Sequence, residues 1–399
     1  MNLPLRGIKV VELVHQVMGP SAGMILADFG ADVVKVEPAP RGDNTRRLIG
    51  SGAGLFTAFN RNKRSIAVDL KNDDGREIGL RLIDQADVLI ENFRLGALDE
   101  QGFGYATVSS RNPRLIYCSL KGFLSGPYAH RTALDEAVQN MAGLATMTGP
   151  PGQPLRAGAS VNDIMGGMFT VIAVLAALRE RETTGVGTHI KTGLFETCAF
   201  LVSQHVAEFC VTGNPPTPMS VPQDFYPVYD RFETSDDRKL FVAVVTDKQW
   251  IAFCDAFGLH VLRDDPELAD SVARTRCRHR TIPIIAARFK TYSQADLMAI
   301  CDRLGLPYAP IRRPEDLLAD EHLQNSGGLL SVPTPQGIEA RIPGLPVEIA
   351  SQKFSVRRGV PDIGQDTEEI LREAGYSVEA ISRFEAQGTV VAKCGGRPT

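Results

Sequence analysis

Along the first 200 residues, short runs of branched apolar residues alternate with longer stretches whose apolar positions recur at helical spacing. Ile8–Leu13 predicts a strand, Ser21–Phe29 a helix stopped by Gly30, and Val33–Val36 a second buried strand. Ser65–Val68, Val88–Ile90 and Leu115–Ser119 predict further strands, with a helix over Gly75–Ile83. Apolar helices follow at about Leu134–Leu144 and Ile164–Arg179. Repeated strand–helix–strand order implies an α/β fold whose mostly parallel sheet is covered by helices.

The pattern breaks at Gly213–Pro227, where Pro215, Pro216, Pro218, Pro222 and Pro227 predict a semi-rigid linker. Beyond it, Leu240–Val245 reads as a strand, and helices are expected near Lys248–Phe257, Arg280–Thr291 and Ser293–Leu304. The proline-broken stretch Gly327–Glu348 looks like a return connection before helices at Thr367–Ala374 and Ser377–Gln387. The expected plan is a large domain begun by residues 1–212, a linker at 213–227 and a smaller α+β domain at 228–326. Residues 327–399 then return to complete the large domain.

Composition narrows the function classes. With 43 Lys+Arg against 47 Asp+Glu, a net charge of −4 gives no global pull toward nucleic acid or anionic membrane. The seven cysteines are scattered and form no C-x-x-C pair, which fits a reducing compartment better than a disulfide framework or zinc knuckle. The N-terminal Met1–Gly7 lacks the apolar core of a signal peptide. The apolar stretch Ile164–Leu178 is shorter than the ~20 residues that span a bilayer. A soluble, cytoplasmic protein is expected.

No strong catalytic motif stands out: there is no Walker loop, H-E-x-x-H or G-x-S-x-G. The first strand runs into Val14-His15-Gln16-Val17 without a dinucleotide fingerprint, yet His15 lies at a strand's carboxyl end, where α/β sheets collect ligands. In Ala157–Met168, Asp163 stands between a small-residue loop and an apolar helix. It reads either as an N-cap or as a carboxylate kept ionised by the helix terminus and available for covalent catalysis. Two basic clusters, Arg41/Arg46/Arg47 and Arg61/Lys63/Arg64, follow or precede strands and modestly favour a phosphate ligand. The run Arg274–Arg280 reads as an exposed helix approach.

These segments together resemble the class III coenzyme A transferases. That family includes formyl-CoA transferase, carnitine CoA-transferase and α-methylacyl-CoA racemase. The resemblance is carried by Leu5-x-Gly7-Ile8-Lys9-Val10-Val11-Glu12, Gly19-Pro20, Leu26–Pro38 with Arg41-Gly42-Asp43, and Asn60–Ile66. It continues through Asp69-Leu70-Lys71, Ala86–Arg94, Asn112–Ile116, Gly122-Phe123, Gly126-Pro127 and Gly364-Gln365-Asp366-Thr367, so it covers nearly the whole chain. It implies a large Rossmann-like domain, a smaller middle domain and an interlocked homodimer.

The resemblance also implies chemistry. The family's catalytic aspartate falls on Asp163, whose carboxylate would attack the donor acyl-CoA thioester to give an aspartyl-acyl anhydride and CoA thiolate. The thiolate would return to the aspartyl carbonyl, releasing the donor acid and leaving an aspartyl-CoA thioester. The acceptor acid would then reverse these steps. Positions matching the family's CoA contacts are His15, Gln16, Lys71, Asn92, Phe93 and Lys121. Two departures stand out: Leu98-Asp99-Glu100 carries no basic residue, and Val244–Lys248 replaces a glycine-rich loop. No metal or redox cofactor is implied, coenzyme A being a substrate.

The racemase branch places a histidine directly before an aspartate, where this chain has Leu134-Asp135, and leucine cannot move a proton. A transferase is therefore favoured over a 2-methylacyl-CoA racemase. A non-catalytic acyl-CoA binder, with Asp163 serving only as a cap, is the reading from a different class. Arg131 and Arg156 flank the expected site and are candidates to hold the far carboxylate of a dicarboxylic acid such as succinate.

Overall fold

The computed structural model describes residues 3–221, 226–350 and 352–391. Two compact units emerge: Met1–Thr148, Gly152–Pro216 and Asp320–Thr399 form the larger, and Gly149–Pro151 with Thr217–Ala319 the smaller. Part of the expected linker, 222–225, lies outside the described residues. The chain re-enters the larger unit at Asp320 rather than at 327. The Glu321–Asn325 helix is tied to the hairpin on its C-terminal side, because the Gly328 N–H donates to the Leu323 carbonyl and the Gly344 N–H to that of Gly328. That hairpin, Leu329–Pro333 against Glu339–Pro343, makes up most of the return stretch.

The larger unit is built on a seven-stranded sheet. Its strands β1 (Lys9–Leu13), β2 (Asp32–Pro38), β3 (Arg64–Val68), β4 (Val88–Glu91), β5 (Ile116–Lys121) and β6 (His189–Gly193) are all parallel. A short terminal strand, Val390–Val391, pairs antiparallel with β3. The spatial order is terminal strand, β3, β2, β1, β4, β5, β6, so the direction of winding reverses between β1 and β4. In such sheets ligands collect at the carboxyl ends of the strands flanking that reversal.

Apolar clusters cover both faces, as a buried parallel sheet requires. One face, through Val10, Ile90, Ile116 and Cys118, carries the helices Met18–Asp28 and Val161–Thr184. The other, through Val11, Val34, Leu89 and Tyr117, carries Asp73–Asp84, Tyr105–Arg111 and the two C-terminal helices. The Val161–Thr184 helix has 24 residues, longer than expected, and is long and apolar enough to cross a bilayer by length and composition alone. Here its Val171, Val174 and Ala177 belong to the apolar cluster over the sheet.

The basic residues before β3 are internal, which corrects their reading as phosphate ligands. Arg61 pairs with Asp28 at 2.6 Å, Lys63 with Glu12 at 2.7 Å, and Arg64 with Asp32 and Glu373. Arg46 likewise pairs with Glu37. Burying such charges is tolerable only because each is paired and hydrogen-bonded. Gly23 makes room for Glu12, since a Cβ there would collide with the Glu12 carboxylate.

In the smaller unit, an antiparallel sheet of β7 (Val228–Glu233), β8 (Lys239–Val244) and β9 (Tyr308–Pro310) packs against helices around Phe253, Phe257 and Phe289. The arginine run is structural rather than an exposed approach. Arg274 binds the Leu268 and Ala269 carbonyls and Asp247, Arg278 binds the Pro227 carbonyl and Asp230, and Arg280 binds Asp265 and Glu267. Val244–Lys248 runs from the end of β8 directly into the Asp247–Phe257 helix, with Thr246 and Gln249 closing a capping box.

Candidate active site

The Val161–Thr184 helix fixes Asp163 at the carboxyl edge of the sheet. At its far end, Arg181 donates to the Asp87 and Arg114 carbonyls, which precede β4 and β5 at their amino ends. Its first turns therefore lie at the opposite edge. There, two glycines allow close contact with the helix that follows β1. A Cβ on Gly167 would meet Ser21 Oγ and, at 2.9 Å, the Met18 carbonyl oxygen; one on Gly166 would meet the Met18 side chain.

Asp163 is the third residue of its helix, not the N-cap; Ser160 holds that position without a side-chain cap bond. The capping is done from outside, by the buried Asp135. Its Oδ2 accepts the Asn162 N–H at 3.0 Å and the Asp163 N–H at 3.3 Å. Its Oδ1 accepts from Gln139, whose own amide oxygen takes the Ala157 N–H. Arg156 completes the cluster, donating to Ser160 Oγ at 3.2 Å and lying 3.9 Å from Asp135.

The half-buried Asp163 carboxylate receives no hydrogen bond among the described residues. Burial, reinforced by the Asp135 charge and opposed by Arg156, pushes its pKa up to about 7. The expectation that the helix terminus simply keeps it ionised is thus corrected: Asp135 already occupies the free N–H groups. A carboxylate that is neither hydrogen-bonded nor fully solvated is a stronger nucleophile once ionised. Asp135 and Gln139, which do this positioning, were not identified as site residues from sequence. Asp135 and Asp163 are 28 positions apart with two short helices between them, so no local pattern links them.

The candidate CoA contacts divide. His15 and Gln16 follow β1, and Asn92 and Phe93 follow β4, so these four flank the winding reversal. They are tied together: the His15 N–H donates to Asn92 Oδ1 at 3.0 Å, Asn92 Nδ2 returns a bond to the His15 carbonyl at 2.7 Å, and the His15 and Phe93 rings lie 5.6 Å apart. Burial lowers the His15 pKa, so the ring is neutral near pH 7. Asn92 is thereby a brace for the loop. Lys121, at the end of β5, is likewise engaged: its Nζ binds Glu91 at 2.6 Å and the Phe93 carbonyl at 2.7 Å, shaping the turn after β4.

Lys71 is not gathered with them. It follows β3, two strands from β1; its side chain is exposed, and its backbone N–H donates to Asp69 Oδ1 at 3.1 Å. Arg131 is exposed and stacks 4.8 Å over the Tyr128 ring. Glu100, in the stretch without a basic residue, pairs with Arg94. A cavity of about 360 Å³ opens at the ends of β4–β6 on the face opposite Asp163, lined by Glu91, Tyr105, Ser119, Lys121 and His189 among others. Among the described residues, no cluster of His, Cys, Asp and Glu could hold a metal ion.

Comparison with known proteins supplies the family. The model for CoA-transferase family III matches residues 5–367. The succinate–glutarate CoA-transferase of Agrobacterium fabrum is 34% identical, over 95% of this chain and 97% of that protein. The succinyl-CoA:mesaconate CoA-transferase of Haloarcula hispanica is 31% identical, over 93% and 96%. The crystal structure of a CaiB/BaiF family protein from Brucella suis superposes with a TM-score of 0.84 at 34% identity, covering 94% of this chain and all of that one. The chain belongs to CoA-transferase family III and is an enzyme that moves coenzyme A from one carboxylic acid to another.

Proposed function

We propose that the enzyme exchanges coenzyme A between succinyl-CoA and a second dicarboxylic acid, through covalent intermediates on Asp163. The observation that carries this reading is the Asp163 carboxylate at the sheet's carboxyl edge, which receives no hydrogen bond among the described residues and is backed by Asp135. It attacks the thioester, and the CoA thiolate leaves. The thiolate then displaces the donor acid from the anhydride, giving an aspartyl-CoA thioester that the acceptor acid resolves. His15, Gln16 and Phe93 line the path of CoA, with Asn92 and Lys121 bracing their loops. Lys71 is left as an outlying contact for the nucleotide end.

Arg156 and Arg131 favour a substrate with a second carboxylate. The relatives named for succinate, glutarate and mesaconate support that choice. A homodimer in the cytoplasm is part of the proposal. Phe200, Val206, Phe209 and Val211 leave an exposed apolar face on two consecutive helices that a second copy would cover, and six free cysteines among the described residues fit a reducing compartment.

The test is mass spectrometry of acyl-CoA products formed in D₂O, offering succinyl-CoA and 2-methylacyl-CoA with a panel of mono- and dicarboxylic acids. New dicarboxylyl-CoA species without solvent deuterium are expected. Deuterium in the original 2-methylacyl-CoA without acid exchange would identify a racemase instead.

A further inference from the structure

The loop after β1 is held in an unfavourable shape. Gln16, exposed and not a glycine, sits at φ 63°, in the left-handed region where a side chain is strained. Such a conformation persists only where its surroundings over-determine it. Here the backbone of three successive residues is pinned by side chains from elsewhere. The Val14 carbonyl accepts from Lys35 Nζ at 2.8 Å, Asn92 clamps His15, and the Gln16 N–H donates to Thr45 Oγ1 at 3.1 Å.

The pins on either side of His15 share one buried support. Lys35 Nζ pairs with Asp43 Oδ2 at 2.9 Å, and Asp43 Oδ1 accepts the Thr45 N–H at 2.8 Å, fixing the residue whose hydroxyl holds Gln16. Glu37 holds Asp43 in turn, accepting its N–H at 2.8 Å. Lys35, Asp43 and Thr45 are almost wholly buried, so none is open to substrate. A buried ion pair is weak as a source of stability, and an apolar pair of similar volume often does as well. This pair is placed where it fixes a strained loop.

We propose that Lys35, Asp43 and Thr45 form a positioning relay that holds the His15–Gln16 loop in its strained, CoA-accepting shape. The inference rests on the reading of His15 and Gln16 as part of the acyl-CoA path. Thr45→Val removes only the hydroxyl that binds Gln16 and keeps the Asp43 cap on the Thr45 N–H. The loop then relaxes toward ordinary φ values and misplaces both side chains.

Calorimetric titration of the whole enzyme with CoA tests this. Thr45→Val is expected to raise the Kd for CoA about tenfold, the fold-change equivalent to a lost hydrogen bond of about 1.4 kcal/mol. Thr45→Ser, which restores the hydroxyl, returns it to near the wild-type value. The KM for the acceptor acid stays unchanged, a split that general loosening of the fold would not produce. The doubly neutralised Lys35→Met/Asp43→Asn variant weakens CoA binding in the same direction and serves if Thr45→Val does not fold. A folded Thr45→Val enzyme that binds CoA as tightly as wild type, or one that Thr45→Ser fails to restore, overturns the relay. A wild-type enzyme that binds no CoA overturns the underlying reading of the loop, and the relay with it.

Discussion

The raised pKa of Asp163 carries a cost in stability, and replacing the residue by asparagine exposes it. Burial and the neighbouring Asp135 raise its pKa from the ordinary 3.8 to about 7. A gap of roughly three pH units, at about 1.36 kcal/mol each, corresponds to about 4 kcal/mol of destabilisation when the group is ionised. Because the side chain is half-buried, solvent screening brings the expected effect to about 2–4 kcal/mol. Between pH 3.8 and 7 the folded chain keeps a proton that the unfolded chain has released, so wild-type stability falls as pH rises through this window. The Asp163→Asn variant cannot titrate there. Thermal unfolding from about pH 5 to about pH 8.5 should give a variant whose advantage in Tm is about a third of its full size at the acid end, grows to several degrees by about pH 7.5, and then levels off. An advantage independent of pH, or a variant less stable than wild type at about pH 8, would refute the reasoning.

The same titration governs catalysis. In the proposed chemistry Asp163 attacks only when ionised, so kcat/KM for acyl-CoA should rise with pH through about 7. Asp135→Asn removes a neighbouring negative charge and should move that limb to lower pH, whereas Arg156→Gln should move it higher; shifts in the same direction would contradict the electrostatic account. Gly167→Val forces a side chain into Ser21 and the Met18 backbone, and should destabilise the enzyme by about 1–3 kcal/mol in urea unfolding. An unchanged midpoint would mean that the two helices are not packed this closely.

Much of the sheet was legible because buried parallel strands are near-continuous apolar runs, as in Val33–Val36 and Val88–Ile90. β6 was missed: His-Ile-Lys-Thr-Gly carries a single apolar side chain and lies at the sheet's edge, where little of the strand is fully buried. The terminal Val390–Val391 strand is too short to give a period. Arg61, Lys63 and Arg64 misled for a different reason. Local sequence shows charge but not the Asp28, Glu12 and Asp32 partners, which lie 32 to 51 positions earlier in the chain.

The site followed the same division. Asp163 stands out as the candidate nucleophile from its place between a loop of small residues and an apolar helix, and from the family resemblance. Its raised pKa does not, because the helix N–H groups that would have favoured the anion are taken by Asp135, 28 positions away. Asn92 and Lys121 also close bonds within the loops after β1 and β4, a bracing that only the pairing of distant strands reveals.

The central claim, that Asp163 carries the acyl group and then CoA, can be followed through oxygen. In the proposed sequence one carboxylate oxygen of the acceptor acid remains on the aspartate after each turnover. Turnover with an ¹⁸O-labelled dicarboxylate, followed by peptide mass spectrometry, should place the label on Asp163 and leave Asp135 unlabelled. Exchange of CoA with no label on Asp163, or with label on another carboxylate, would contradict the account.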